Sequence, residues 1–461
     1  MSLTRLLAPL EEELEEEYAG GMASISGFPE FLPSGRMVEM RAIDILRSVF
    51  ELNGFANIQT RNLEPLTELS RKGEITKEVY VVRRLHASDD DKDEMGLHFD
   101  LTVPFARYVL DNAGHLEFPF RRYQIQPAWR GERPQEGRYR EFWQADIDIV
   151  GQGELSFHHD IEVVMVMLQA CARLSQELGI PPVLMRINNR KLISGFYTGL
   201  GVPDPLGAIQ AVDKLAKIGP QGVTEMLATQ NLDQAQIDKI LQFASIQTSS
   251  VHFADQVRAL GVTSEQMEQG IAELHNLFLA VHARFPDNVV VDCKIARGLD
   301  YYTGSVFELE LQGNESLGTV CAGGRYDSLA SDGKRTYPGV GISFGLTRVF
   351  APLISKGQLT ASRSVPSAVL IAVDSEDERW QAEEVALALR ERGICCEVSP
   401  NSAKYGKQIR FADKRGIPYV WFGPLQGQVK DIRTGDQIGA DAYLWTPAPE
   451  DLIPVIQRVL A

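Results

Sequence analysis

The chain contains 461 residues, of which 44% are hydrophobic and 23% charged, so it can form two or three domains that each bury a core. No apolar stretch approaches the roughly 20 residues that span a bilayer, and residues 11–17 are almost wholly acidic where a secretory signal would be basic and then apolar. These features predict a cytoplasmic protein without a membrane segment. The five cysteines lack C-x-x-C spacing and are odd in number, which argues against a zinc site and a disulfide framework.

The overall charge disfavours a nucleic-acid partner, but one segment reverses it. Lysine and arginine number 46 and aspartate and glutamate 62, a net charge of −16, whereas phosphate contacts need basic side chains. Residues 401–433 contain seven basic and two acidic residues, a local charge of +5. This basic segment suits a phosphate backbone, and an ordinary solvated helix face is the alternative.

The first 150 residues predict a helix followed by several strands. Residues 34–53 have the periodicity of an amphipathic helix with Ser34 as its cap, and a strand then reaches Pro65. Residues 79–85 are a predicted strand, and Thr102 lies where a helix cap is expected. Two longer extended runs, 118–130 and 138–150, flank the loop GERPQEG and predict a long antiparallel hairpin.

The rest of the chain changes first to helical and then to mixed sequence. Residues 181–285 predict a helical insertion, and strand-like sequence resumes from 288 to 350. Residues 354–366 predict a linker, followed by a small α/β domain of about 95 residues. The strands and helices of that domain are predicted at 368–372, 376–392, 395–398, 404–415 and 419–421.

Polar residues in two neighbouring segments predict a binding pocket. Gln144, Asp146 and Asp148 alternate along a strand and therefore face one side, towards a pocket or towards solvent. In FDLTVPFARY, Asp100 could hold a cationic amine with help from Thr102. Capping of the following helix is the alternative role for these two residues.

Arginines cluster around the hairpin loop, at Arg130, Arg133, Arg138 and Arg140. Each guanidinium presents a planar fork to phosphate oxygens, so the cluster suits a triphosphate. Glu132 could contact the nucleotide base or support Mg²⁺. Charge pairing on the surface of a hairpin is the alternative.

Two further segments combine arginine with tyrosines or glycines. In IARGLDYYTGSVFE, Arg297 precedes Tyr301 and Tyr302, so a cation for a carboxylate or phosphate lies beside hydroxyls that can bind a polar ring. AGGRYDSLA is followed by GVGISFGLTRVF, whose glycines permit close approach of a ligand and whose Arg348 lies at the start of a helix. Tight backbone packing is the alternative explanation for these glycines.

Together these segments resemble the class II aminoacyl-tRNA synthetases. Residues 34–66 resemble their motif 1, the arginine hairpin resembles motif 2, and the glycine-rich strand with Arg348 resembles motif 3. RGLDYYTG and GGRYD resemble signatures of the histidyl-tRNA synthetase family, and YGKQIRFADKRGIPY resembles a segment of its C-terminal domain. The resemblance covers nearly the whole chain. It implies an α/β fold with an α+β catalytic core, in which helices flank an antiparallel sheet, plus a helical insertion and a small C-terminal α/β anticodon-binding domain.

The resemblance also implies domain boundaries and residue roles. The catalytic core would comprise residues 1–185, with motifs 1 and 2, and residues 286–356; the insertion would be 186–285, the linker 357–366 and the anticodon-binding domain 367–461. The histidine pocket would be formed by Asp100, Thr102, Gln144, Asp148, Tyr301, Tyr302 and Tyr326. The ATP site would be formed by Arg130 at the α-phosphate, Arg138 and Arg348 at the outer phosphates, Glu132 and Gly345. Arg297 is similar to the family's catalytic arginine and would act with Arg130.

Contacts with tRNA and two departures from the family pattern complete these implications. Gln135 is expected near the acceptor end of the tRNA, and Lys404, Lys407 and Arg410 near the anticodon stem. Thr347 stands where the family often has an acid, and Asp100 stands where many bacterial members have glutamate.

The implied activity is histidine–tRNA ligation. Histidine would attack the α-phosphorus of ATP, supplied with Mg²⁺, and the adenylate would then be attacked by the terminal ribose of tRNA(His). The implied assembly is a homodimer through motif 1, without a tightly bound metal. The alternative is the non-catalytic regulatory subunit of ATP phosphoribosyltransferase, which typically lacks the C-terminal domain. Ligases for threonine, proline or glycine would not be expected to carry RGLDYYTG, and a domain that senses uncharged tRNA would normally adjoin a kinase domain.

Overall fold

A computed structural model describes residues 25–70, 77–86, 94–295 and 301–459 of the chain. The helices in these residues are α1 Pro33–Leu52, α2 Leu66–Leu69, α3 Thr102–Asn112, α4 His158–Leu178, α5 Arg190–Gly199, α6 Pro205–Asp213, α7 Leu215–Ala228, α8 Gln234–Ala244, α9 Phe253–Arg258, α10 Glu265–His282, α11 Leu346–Ser355, α12 Arg379–Glu391 and α13 Tyr405–Arg415. The strands are β1 Ala56–Asn57, β2 Leu63–Pro65, β3 Val81–Val82, β4 Met95–Leu97, β5 Phe120–Trp129, β6 Glu141–Val150, β7 Val183–Asn189, β8 Gln247–Thr248, β9 Val289–Asp292, β10 Tyr302–Leu311, β11 Cys321–Tyr326, β12 Gly339–Gly345, β13 Leu359–Ala361, β14 Val369–Ile371, β15 Cys396–Val398, β16 Tyr419–Phe422, β17 Gln426–Asp431, β18 Gln437–Asp441 and β19 Ile456–Arg458. None of these helices combines the length and apolarity of a bilayer span.

The largest element is a nine-stranded sheet in the order β1-β5-β6-β12-β11-β10-β7-β9-β8. Its centre is antiparallel, and among the described strands of this sheet only the pairs β1–β5 and β7–β9 are parallel. The predicted hairpin is confirmed as β5 and β6, which pair over ten residues. The strands that carry the predicted signatures, β10, β11 and β12, follow β6 in the sheet, although the insertion separates them in sequence.

The two faces of the sheet differ in polarity because side chains alternate along each strand. On β6, Ala145, Ile147 and Ile149 are fully buried in the main hydrophobic core, which also includes residues of α1 and α4. Residues 144, 146 and 148 therefore point to the opposite face. That polar face is where the predicted pocket residues lie.

The segment between β7 and β9 is mainly helical, as the sequence predicts. Helices α5 to α10 fill it, and α5 and α10 pack closely against each other. Gly270 on α10 allows this approach, because a Cβ there would lie 2.2 Å from the backbone nitrogen of Leu192. Residues 186–189, at the start of the predicted insertion, belong to strand β7 of the large sheet.

The C-terminal residues form a second, five-stranded sheet in the order β15-β14-β16-β17-β18. Its first three strands are parallel, joined by α12 and α13, and its last three are antiparallel. A separate hydrophobic cluster with the fully buried Trp421 forms its core. Each predicted element of this unit is present, displaced by at most a few residues.

Three local predictions differ from the structure. Ser34 does not cap α1, because the helix begins at Pro33, a residue suited to the first turn, and Leu32 occupies the cap position without a side-chain hydrogen bond. The predicted strand at 79–85 is limited to Val81–Val82, on the edge of a small sheet with β2 and β4. Within the predicted linker, β13 pairs with β19 near the C-terminus.

Candidate functional site

The candidate site consists of two adjoining cavities on the polar face of the large sheet. The larger measures about 270 Å³ and the smaller about 140 Å³, and Arg130, Gln144, Ala322 and Ser343 line both. The hairpin β5–β6 supplies Arg130 and Gln144, and β11 and β12 supply the other two residues. The two cavities therefore lie side by side and share these four residues.

The smaller cavity collects every side chain predicted for the histidine pocket: Asp100, Thr102, Gln144, Asp148, Tyr301, Tyr302 and Tyr326. These residues lie on or directly before four separate elements, α3, β6, β10 and β11, so the chain brings them together only on folding. Asp100 also has its alternative role, because its Oδ1 accepts a hydrogen bond from the backbone nitrogen of Val103 at 3.1 Å. Thr102 does not cap α3, since the helix begins at Thr102 itself.

Three glycines make room for three side chains of the smaller cavity. A Cβ at Gly341 would lie 2.0 Å from Asp148 Oδ1, and one at Gly339 would lie 2.5 Å from the Tyr326 ring. A Cβ at Gly324 would lie 2.9 Å from the Tyr302 ring. These glycines therefore allow tight packing, as the alternative explanation predicted. The side chains that pack against them are three of the residues that line the pocket.

Asp148 lies at the base of the smaller cavity and is held through both carboxylate oxygens. The Tyr326 hydroxyl donates to Oδ1 at 2.8 Å, and Arg122 Nη2 lies 2.6 Å from Oδ2. Burial, with the charge of Asp148, raises the pKa of Tyr326 well above its usual value, so this hydroxyl stays protonated and remains a donor. Burial likewise raises the pKa of Tyr302.

The larger cavity collects every residue predicted for ATP: Arg130, Glu132, Arg138, Gly345 and Arg348. Arg130 is anchored by its Nε, which donates to the carbonyl of Phe99 at 2.9 Å, and its guanidinium lies 5.0 Å from the centre of the Phe142 ring. Arg348 Nε donates to the carbonyl of Gly137 at 2.8 Å and thereby ties α11 to the hairpin loop. Such anchoring fixes cations before a ligand arrives.

Carboxylates lie beside these arginines. Arg138 Nη1 is 3.6 Å from Glu132 Oε2. Burial and the neighbouring Glu132 raise the pKa of Glu78. Carboxylate oxygens are the ligands that Mg²⁺ prefers, and Glu132 brings one carboxylate to the lining of the larger cavity.

Other predicted residues lie elsewhere. Arg133 does not line the larger cavity, and Arg140 Nε instead donates to the Glu132 carbonyl at 3.3 Å. Gln135 is exposed in the hairpin loop, where its backbone nitrogen donates to the carbonyl of Arg138. Thr347 is 1% exposed and its Oγ1 accepts from the backbone nitrogen of Trp143, so it joins α11 to β6 and does not line the nucleotide cavity. Arg297 lies outside the described residues.

Lys404, Lys407 and Arg410 are exposed at the start of α13, in the basic segment. Two other cations of the segment have acidic partners: Arg415 pairs with Glu397, and Arg433 pairs with Asp431 and Asp451. The exposed residues at the start of α13 are thus the part of the segment best placed to meet a phosphate backbone.

Among the described residues, one group of side chains has the composition of a metal site: His158, His159 and Glu162. Arg121 already holds both oxygens of Glu162, with Nη2 at 2.9 Å from Oε2. His159 Nδ1 lies 3.0 Å from the same carboxylate. A bound cation would have to displace or tolerate the guanidinium, so this group fits a metal poorly.

The sequence did not indicate Arg122 and Ser343. Arg122 is adjacent to Arg121 and nothing in its type distinguishes it, although a strand of alternating faces places it opposite Asp148. Ser343 Oγ accepts a hydrogen bond from Gln144 Nε2 at 2.7 Å, across the β6–β12 pair.

Comparison with known proteins gives two family matches. Residues 27–349 match the family model for histidyl-tRNA synthetase, and residues 367–422 match the model for the anticodon binding domain. A histidine–tRNA ligase of Cutibacterium acnes is 59% identical over 442 residues, which cover 93% of this chain and 97% of the relative. One of Micrococcus luteus is 50% identical over 455 residues, which cover 95% and 98%.

Solved structures agree with these matches. The crystal structure of histidyl-tRNA synthetase from Nostoc sp. superposes with a TM-score of 0.80 at 33% identity and covers 92% of this chain and 98% of that one. A Bacillus halodurans structure described as an ATP phosphoribosyltransferase regulatory subunit/histidyl-tRNA synthetase superposes with a TM-score of 0.68 at 20% identity, covering 82% and 92% of the two chains. At that identity the likeness concerns the fold alone.

Proposed function

The chain belongs to the histidyl-tRNA synthetase family, and from this premise we propose that it is a histidine–tRNA ligase. It activates L-histidine with ATP to histidyl-adenylate and transfers the histidyl group to the terminal ribose of tRNA(His). The observation that carries the proposal is the pair of adjoining cavities. One holds the residues implied for histidine, the other holds those implied for ATP, and Arg130 lines both.

The smaller cavity suits histidine because its charges complement the amino acid. Asp100 offers a carboxylate to the α-ammonium group, with Thr102 and Gln144 as further partners. Asp148 offers a carboxylate to the imidazole at the base of the pocket. Tyr302 and Tyr326 remain protonated and can donate to the ring or to Asp148. The carboxylate of histidine then points towards Arg130 and the larger cavity.

The larger cavity suits ATP because three arginines converge in it. Arg130 contacts the α-phosphate, and Arg138 and Arg348 contact the outer phosphates. Glu132 fits the Mg²⁺ that accompanies ATP. Gly345 lies at the floor of this cavity, where a side chain would approach the carbonyl of Val320 at 3.1 Å.

The reaction in this arrangement depends on positioning and charge neutralisation. A carboxylate oxygen of histidine attacks the α-phosphorus in line, the new P–O bond forms as the bond to pyrophosphate breaks, and pyrophosphate leaves. Arg130 neutralises charge on the α-phosphate in the transition state. In the second step a ribose hydroxyl of tRNA attacks the adenylate carbonyl, and AMP leaves. We assign Arg297 to the same phosphate as Arg130.

The proposal extends to assembly and domains. Motif 1, α1 and the strand after it, forms a homodimer interface, and Met40 and Leu52 on α1 are exposed apolar residues that a partner could cover. Sedimentation as a monomer at micromolar concentration contradicts this assembly. The proposed domain boundaries are those predicted from the sequence, except that residues 186–189 belong to the sheet of the catalytic core. The proposal places the enzyme in the cytoplasm, with its tRNA and ATP.

Histidine-dependent exchange of pyrophosphate into ATP tests the activation step. Purified protein should exchange pyrophosphate only when histidine is added, and it should charge a tRNA(His) transcript. Arg297→Ala should reduce exchange by about 3 kcal/mol of transition-state stabilisation, as does loss of one preorganised donor. Folded protein without histidine-dependent exchange contradicts the proposal and favours a regulatory role on the same fold.

A further inference from the structure

Arg122 lies directly beneath the smaller cavity, on the polar face of β5. Its Cα partner across the hairpin is Asp148, and the next residues on that face, Gln124 and Gln126, oppose Asp146 and Gln144. The side chain of Arg122 is fully buried, at 0% exposure. Since it does not line the cavity, a ligand reaches Asp148 but not Arg122.

The contacts of Arg122 are dominated by Asp148. Nη2 lies 2.6 Å from Asp148 Oδ2, and the guanidinium carbon lies 4.2 Å from the centre of the Phe105 ring. Among the described residues, none of Nε, Nη1 and Nη2 has a hydrogen-bond partner, so the contact with Asp148 is an ion pair. A buried guanidinium is costly unless a negative charge compensates it. For Arg122, the Asp148 carboxylate supplies that negative charge.

Further carboxylate side chains surround the pair formed by Arg122 and Asp148. Asp146 is 2% exposed, its Oδ1 has no hydrogen-bond partner in the described part of the chain, and it lines the same cavity as Asp100 and Asp148. Burial raises the pKa of Asp146 to about 7, Arg122 lowers it, and Asp148 raises it. Three carboxylates therefore share a small space with two cations, Arg122 beneath them and Arg130 in the wall of the cavity. Loss of Arg122 would remove the charge that lies closest to the Asp148 carboxylate and favours its ionised form.

We propose that Arg122 is the positioning residue that keeps Asp148 ionised and oriented, so that the histidine pocket selects a ring that carries an N–H donor. Arg122 holds Oδ2, and Tyr326 donates to Oδ1, so neither oxygen can rotate away. An ionised carboxylate only accepts hydrogen bonds, whereas a protonated one also donates. Arg122 thus determines whether the base of the pocket accepts from the ring or donates to it. This inference rests on the proposed histidine activation.

The test compares three variants in the pyrophosphate exchange assay. Arg122→Met removes the charge, Arg122→Lys retains it, and Arg121→Met is the matched control. Arg121 is adjacent on the same strand, but it points to the opposite face and pairs with Glu162. Each variant is assayed with histidine and with thiazolylalanine, an analogue whose ring has an acceptor nitrogen and no N–H. The KM for ATP and the thermal unfolding temperature are measured alongside.

Arg122→Met should raise the KM for histidine about 10- to 100-fold, the range expected for loss of one charge-assisted hydrogen bond, and leave the KM for ATP unchanged. The preference for histidine over thiazolylalanine should fall, because a protonated Asp148 can donate to the thiazole nitrogen. The acid limb of kcat/KM for histidine should move to higher pH. The groups that face the Arg122–Asp148 pair are Asp100, Asp146, Tyr302 and Tyr326. None of them changes in the variant, so the movement reports the loss of the cation.

Arg122→Lys should restore the acid limb and part of the preference for histidine, and Arg121→Met should behave like wild type. A folded Arg122→Met variant with the preference and acid limb of wild type overturns the proposal, as does an equal effect in Arg121→Met. If Arg122→Met does not fold, Arg122→Gln serves as the variant without charge: its KM for histidine must rise more than its KM for ATP, and unchanged values overturn the proposal. Wild-type protein without histidine-dependent exchange would instead refute the proposed function itself.

Discussion

Replacing Gly341 with alanine tests how closely the backbone of β12 determines the geometry of the histidine pocket. A Cβ at this position would lie 2.0 Å from Asp148 Oδ1 and 2.4 Å from its Cγ. Since Cβ atoms essentially never approach other heavy atoms within 3.0 Å, Asp148 or the strand must move by about 1 Å. The carboxylate cannot move freely, because Arg122 and Tyr326 hold its two oxygens at 2.6 and 2.8 Å.

The expected effect is on histidine more than on ATP. A displacement of about 1 Å at a positioned group costs on the order of 100-fold in rate, so kcat/KM for histidine should fall by about that factor in Gly341→Ala. The KM for ATP should change little, because Gly341 does not line the larger cavity. Overpacking a buried site should also lower the free energy of unfolding by about 1–3 kcal/mol.

Pyrophosphate exchange at varied histidine and ATP, with urea unfolding, measures both effects. Gly439→Ala is the matched control, because Gly439 also lies in a strand and a Cβ there meets nothing within 4 Å. The control should keep wild-type kinetics and nearly wild-type stability. Gly341→Ala with kcat/KM for histidine within threefold of wild type would refute the reasoning, since Asp148 would then tolerate displacement or not contact the substrate.

Three further predictions concern charge. Asp100→Asn keeps an acceptor for the Val103 nitrogen, so the unfolding temperature should stay the same while the KM for histidine rises about 10-fold or more. Asp100→Ala should in addition lose about 1 kcal/mol of stability. A normal KM in the Asn variant contradicts the assignment of Asp100 to the ammonium group of histidine. Folding raises the pKa of Asp146 from 3.8 to about 7, so its stabilising contribution is complete below pH 3.8 and lost as the pH rises through 7. Urea unfolding should therefore show Asp146→Asn gaining about 2–3 kcal/mol on wild type between pH 5 and pH 8, and parallel pH profiles would exclude the shift. Replacing Lys404, Lys407 and Arg410 together with alanine should raise the KM for tRNA and weaken its dependence on salt, without changing pyrophosphate exchange. An unchanged KM for tRNA would favour the alternative, that these residues form an ordinary solvated helix face.

The features predicted most accurately from the sequence depend on local patterns. The hairpin of β5 and β6 is evident because two extended runs flank a loop rich in glycine, proline and charge. The strand and helix order of the C-terminal unit is evident from the alternation of apolar patterns. The shared face of Gln144, Asp146 and Asp148 needs only the two-residue period of a strand. Family membership follows from long motifs, which many residues specify together.

Predictions failed where a neighbour in space decides the outcome. Ser34 has the chemistry of a cap, but the helix begins at Pro33, so Ser34 lies inside the first turn. Residues 79–85 have strand propensity, but only Val81 and Val82 find a partner, on the edge of a small sheet. For Thr347, which departs from the acid that the family often has, the sequence predicted no contact, and only the packing of α11 against β6 shows that it accepts a hydrogen bond from Trp143.

The sequence by itself determined the family, the order of the elements and the polar residues that the site would need, because these depend on composition and periodicity within continuous segments. Only the tertiary structure decided which of those residues meet and what supports them. Arg121 and Arg122 are neighbours of the same type, yet one pairs with Glu162 on a helix and the other lies under Asp148. Their difference arises from the register of β5 against β6 and from the packing of the large sheet, which join residues distant in sequence.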